Sequence, residues 1–189
     1  TAIFLAGAVG GAIAQEAGPG KTPDKETRRE PAQNILRLLP ADSVTEHSIT
    51  TAQGKLNYTA TAGTLAFYDQ SGGQSASVFY TAYVVKGANR PVTFAFNGGP
   101  GAASAYLHLG LVGPRILELG PDGHDAARAT LRDNPETWLG FTDLVLIDPI
   151  GTGWSRAAKA DDAKGFWSVN SDANAMAKAI SLYVTHNNR

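Results

Sequence analysis

Pro91-Val92-Thr93-Phe94-Ala95-Phe96-Asn97-Gly98-Gly99-Pro100-Gly101 is a strand-like run that empties directly into a glycine-rich loop. Three glycines and a proline within five positions are not sheet or helix material. Glycine permits positive φ and close backbone approach, and Pro100 fixes φ while removing one N–H. Residues 101–112 return to helix-compatible types, so the loop is expected to lead into a helix N-terminus. Backbone N–H groups at such a turn can hold an oxyanion or a carboxylate. A tight strand-to-helix turn without chemistry is the plainer alternative.

A second loop of the same kind lies downstream. Asp143-Leu144-Val145-Leu146-Ile147-Asp148 is a continuous apolar run with acidic ends, the pattern of a strand covered on both faces. It runs into Pro149-Ile150-Gly151-Thr152-Gly153-Trp154-Ser155. Ligands in open α/β sheets bind outside the carboxyl ends of strands, and both loops sit at such ends. Neither carries a P-loop or a Gly-x-Gly-x-x-Gly fingerprint.

Upstream the pattern is β-type. Residues 44–69 read as a hairpin about the turn Ala52-Gln53-Gly54-Lys55, Ser71-Gly72-Gly73 is a further turn, and Ala76 to Val85 is a long strand. After the first glycine loop, 113–137 reads as a polar loop and Asn170 to His186 as a helix, with Ala175, Ala179, Leu182 and Val184 among its apolar positions. Antiparallel strands followed by strand–helix–strand–helix imply an α/β sheet with an antiparallel edge.

The 189 residues suit one domain, and 43% apolar content supports a real core. A net charge of −1 with interspersed signs argues against nucleic acid as a partner. Cysteine is absent, which excludes disulfides, thiolate metal sites and a cysteine nucleophile. The four histidines have no metal-ligand spacing, and no metal is expected. His108, one turn from Ser104, is the histidine able to face the crevice, although a structural role is the stronger expectation. Trp138, Trp154 and Trp167 suit a core, or else the wall of an apolar pocket.

The N-terminal segment Ala2 to Ala14 is apolar and ends in the small-x-small triplet Ala12-Ile13-Ala14. It reads as a signal-peptide remnant and is short for a membrane span, so export to the periplasm or the exterior is expected. Residues 15–43 read as a flexible linker with a short helical turn at 35–39, and 44–189 as the N-terminal part of an α/β-hydrolase domain.

These motifs carry a resemblance. Asn97-Gly98-Gly99-Pro100-Gly101 with Ser104, Gly113-Pro114, Asn134-Pro135 with Trp138, and Asp148-Pro149 with Gly151-Thr152-Gly153-Trp154-Ser155 occur in order between about Val44 and Arg189. Together they resemble the serine carboxypeptidase family, the α/β-hydrolase exopeptidases of the carboxypeptidase Y and D type, with bacterial members nearest. The resemblance implies an α/β-hydrolase-type mixed sheet with antiparallel N-terminal strands, cut before the nucleophile strand. It implies a peptide substrate and no cofactor. The Gly99 N–H takes the place of one half of the oxyanion hole. Asn97 and the Gly98 N–H take the place of groups that bind the free C-terminal carboxylate of the peptide. Ala102 stands where many members have a disulfide cysteine, and Leu111 where yeast-type members carry a glutamic acid of the carboxylate network. The family nucleophile lies in a Gly-Glu-Ser-Tyr-Gly elbow after the next strand, with the catalytic Asp and His later. None of these is in the 189 residues, so the chain by itself is expected to be inactive.

Three alternatives differ in class. A self-contained hydrolase would use Ser155, Asp172 and His186, but seven residues separate Ile147 from Ser155. The last two lie 14 residues, or about 21 Å, apart on one expected helix. An esterase or acyltransferase on the same scaffold and a non-catalytic secreted interaction module are the others.

Overall fold

The structure, a computed structural model, describes residues 36, 39–52, 54–87, 89–97, 101–120, 122–123 and 125–189. The segment 1–14, most of the linker 15–43, and Gly98 and Gly99 lie outside the described residues.

A long hairpin begins the sheet. Strand β1 (Ser43–Thr51) and strand β2 (Gly54–Tyr68) pair antiparallel, with Ser43 opposite Ala62 and Thr51 opposite Gly54. β2 then pairs antiparallel with β3 (Gln74–Val85). Asp69 organises the turn between them by accepting from Ser71 N–H at 2.8 Å, Ser71 Oγ at 2.6 Å and Gly73 N–H at 2.9 Å. The Ser71 hydroxyl and these amides favour the ionised carboxylate and lower its pKa.

Strands β4 (Val92–Ala95) and β7 (Asp143–Ile147) complete the order β1-β2-β3-β7-β4, and a short β8 (Arg156–Ala157) pairs with β3. β7 is antiparallel to β3 but parallel to β4, with Val92 opposite Asp143 and Ala95 opposite Leu146. This is a mixed α/β sheet with antiparallel N-terminal strands, consistent with an α/β-hydrolase-type fold.

Every residue of β7 is buried, because the sheet is covered on both faces there. Side chains alternate across a strand. Val145 and Ile147 pack with Met176, Ala179 and Tyr183 of helix α2 (Val169–His186), while Leu144 and Leu146 pack with Ile49, Tyr58, Val112 and Leu139. The Ser168 hydroxyl caps α2 by accepting from Ser171 N–H at 3.1 Å, and Asp172 lies in its positive first turn. Its inner stripe is Ala175, Met176, Ala179 and Tyr183; the apolar Leu182 and Val184 are half-buried. Burial among apolar rings pushes the Tyr183 hydroxyl up to about 12.

Two expectations need correction. The segment 113–137 contains a second, two-stranded sheet of β5 (Arg115–Leu119) and β6 (Ala129–Asp133) rather than a plain loop. Its five-residue strands are largely exposed and have no strong apolar alternation; charged pairs across them, Arg115–Asp133 at 2.8 Å and Glu118–Arg132, help join them. The helix expected over 101–112 is also shorter. It has one α-helical turn, α1 (Ala105–Leu107), continued by a π-helical stretch His108–Val112. Gly101, at φ +105°, belongs to the turn before it.

Candidate functional site

The parallel pairing of β4 and β7 makes both strands deliver their carboxyl ends to the same rim of the sheet. The loops that leave there, 96–104 and 148–155, are therefore neighbours. Phe96 from the first and Pro149 and Ile150 from the second line one cavity of 520 Å³, walled on its far side by Trp167, Met176 and Ile180. One crevice between two glycine loops is what the strand-end reading expects. Asn97, half-buried, follows Phe96 directly. Gly98 and Gly99, the other expected site residues, fall in the part of this loop outside the described residues.

The two loops are joined through Asp148. Asp148 as a residue is 8% exposed. One carboxylate oxygen accepts from the Ser104 N–H at 2.9 Å and the other from the Trp154 N–H at 3.1 Å. The Ser104 hydroxyl donates to the Ile147 carbonyl at the end of β7 and accepts from the Asn97 N–H at 3.3 Å. Ser104 stands at the N-cap of α1, yet its hydroxyl makes no capping bond, because these contacts engage it. Gly153, at φ +46°, passes so close that a Cβ there would strike the Asp148 carboxylate. Sequence reasoning recorded the Asp148-Pro149 pair without a role for the acid. The available signal was a short acid ahead of a glycine turn, where its oxygens can accept backbone N–H groups.

Ser155 cannot serve as a nucleophile in this arrangement. It is 0% exposed, its hydroxyl donates to the Asp148 carbonyl at 2.6 Å and accepts from the Phe79 N–H at 2.8 Å. Asp172 and His186 lie near opposite ends of α2, so the alternative triad does not assemble.

His108 takes the structural role. Its Nε2 is hydrogen-bonded to the Tyr83 hydroxyl, the rings lie 5.4 Å apart, and His108 is not part of the cavity wall. Burial lowers its pKa, against a smaller opposing pull from the Asp148 charge. Burial likewise raises that of Tyr83, so a neutral imidazole and a protonated phenol share this hydrogen bond. Gly113 closes the π-helical stretch where a Cβ would run into the His108 carbonyl.

The tryptophans do not form the core. Trp138, Trp154 and Trp167 are all exposed, and Trp167 alone of the three lines the cavity. Among the described residues no group of acids and histidines could hold a metal ion, and no helix is long and apolar enough to cross a membrane.

Comparison with known proteins agrees with this geometry. The family model described as serine carboxypeptidase matches residues 52–188. Serine carboxypeptidase-like 42 of Arabidopsis thaliana is 32% identical over 95 residues, which cover 50% of this chain and 19% of that protein. Serine carboxypeptidase-like 44 of the same plant is 30% identical over the same extent. The match thus spans about a fifth of the length of these relatives. With two strand-end loops on one crevice and a family match running from the first hairpin through α2, the chain belongs to the serine carboxypeptidase family.

Proposed function

We propose that the protein to which these residues belong removes C-terminal residues from peptides by serine-type acyl transfer. The observation that carries this reading is the shared crevice of the two strand-end loops, with Asn97 on the first of them, in a chain of this family. Asn97 and the Gly98 N–H hold the free carboxylate of the substrate. An amide and a backbone donor can do so without a buried counter-charge.

In the reaction a serine oxygen attacks the scissile carbonyl and the carbonyl oxygen becomes an oxyanion. The Gly99 N–H donates to that oxyanion. The C–N bond then breaks, the leaving amino acid takes up the proton, and water hydrolyses the acyl-enzyme. The nucleophile, its histidine and its aspartate are contributed by sequence other than residues 1–189. Export guided by the segment ending at Ala14 is part of the same proposal.

Covalent labelling tests the division of labour. A fluorophosphonate is expected to label a full-length protein with the Gly-Glu-Ser-Tyr-Gly elbow and to leave residues 1–189 unlabelled. Stoichiometric labelling of the 189-residue chain at Ser155 would overturn the proposal in favour of a self-contained hydrolase.

A further inference from the structure

We infer that Asp148 is a positioning residue for carboxylate recognition: one buried side chain clamps both crevice loops and, through Ser104, sets the backbone of Asn97. This rests on the carboxylate reading of Asn97 given above.

The argument begins with donors. Each loop turns a backbone N–H toward the same point, Ser104 from the first and Trp154 from the second. Two converging donors need a side chain that offers two acceptors and no donor, which among short side chains is an ionised aspartate. Asp148 meets both donors at hydrogen-bond distance, and the backbone of the second loop wraps tightly around it. Ser155 Oγ donates to the Asp148 carbonyl, and the residue at 153 must lack a Cβ to clear the carboxylate.

From this anchor the connection reaches Asn97 in one step. Ser104, held by its N–H on Asp148 and by its hydroxyl on the Ile147 carbonyl, presents Oγ to the Asn97 N–H. Asn97 and Ser104 thereby bracket the intervening loop, and both ends are referred to the end of β7. Binding an anion with an amide side chain demands a fixed backbone, because ordering the loop at the moment of binding would detract from affinity.

The full-length protein supplies the test, with N-acetylphenylalanine and its primary amide as probes in NMR titrations. The wild type is expected to bind the acid more tightly than the amide. Asp148→Asn keeps the size of the side chain but turns an NH₂ toward one of the two backbone donors, and the acid-over-amide ratio should fall about tenfold. Ser104→Ala leaves the carboxylate and both its amide bonds in place and removes only the link to Asn97, so it should lower the same ratio. It also carries the test should Asp148→Asn fail to fold. A general loss of stability weakens both probes together and leaves the ratio alone. A ratio preserved in either folded variant defeats the positioning role while the carboxylate site stands. A wild type that binds acid and amide alike, or neither, defeats the carboxylate reading of Asn97 and the positioning role with it.

Discussion

At the residue scale the crevice is shaped by backbone geometry more than by charge. Gly153 occupies the left-handed region at φ +46° against the Asp148 carboxylate. Gly153→Ala meets both a strained backbone and a steric clash, and should lower unfolding free energy by about 2 kcal/mol, as read by thermal or urea denaturation. His108 supplies the pH dependence. Burial holds its folded pKa below the ordinary 6.5, so the native state prefers the neutral ring. The unfolded chain then binds the extra proton first on acidification. The stability contributed by His108 is complete above about 6.5 and is lost as pH falls through its lowered folded value. The groups facing it are the Tyr83 hydroxyl, hydrogen-bonded to its Nε2, and the more distant Asp148 charge. An NMR titration of the His108 ring should show a midpoint below 6.5, and a midpoint above it would contradict a buried, neutral ring.

At the element scale β7 and α2 form the platform. α2 meets the sheet with small Ala175 and Ala179 beside Met176 and Tyr183, so a single large deletion is felt. Met176→Ala should cost about 2–5 kcal/mol, since Met176 is 3% exposed and contacts both the sheet core and the cavity. The elements legible in sequence are those whose pattern is set by burial. β7 is a continuous apolar run because both its faces are covered, and β2 and β3 are long and bounded by evident turns. The β5–β6 hairpin was not legible, because largely exposed strands joined across charged pairs carry little periodicity. The helix expected over 101–112 starts later, at Ala105, for a tertiary reason. The Ser104 hydroxyl is engaged by the Ile147 carbonyl, 43 residues away, and nothing in the local sequence reveals that partner. The same holds for the site. The two loops were visible as glycine clusters at strand ends, whereas the carboxylate joining them depends on β4 and β7 being neighbours.

At the scale of the whole molecule, the two ends of the sheet do different work. At the amino end of β7 the fully buried Asp143 pairs with Arg90 and Arg189 and accepts from the Val85 N–H at 3.1 Å, tying the strand to its surroundings. At the carboxyl end the Asp148 carboxylate accepts only from backbone N–H groups among the described residues, and there the two loops meet the cavity. The aromatic side chains around that rim, Phe96, Trp154 and Trp167, are exposed.

Recognition by Asn97 is the central claim, and substrate contrast in a full-length, active protein tests it most directly. Turnover of peptides with a free C-terminal carboxylate is compared with that of the matching C-terminal amides or esters, in wild type and in Asn97→Ala. The variant loses a hydrogen bond to a charged group, worth about 1.5–3 kcal/mol, only where the carboxylate is present. The expected result is a roughly ten- to hundredfold fall in kcat/KM for the free acids, with amides and esters largely spared. An equal fall for both substrate types would make Asn97 a turn-stabilising residue and contradict carboxylate recognition at this crevice.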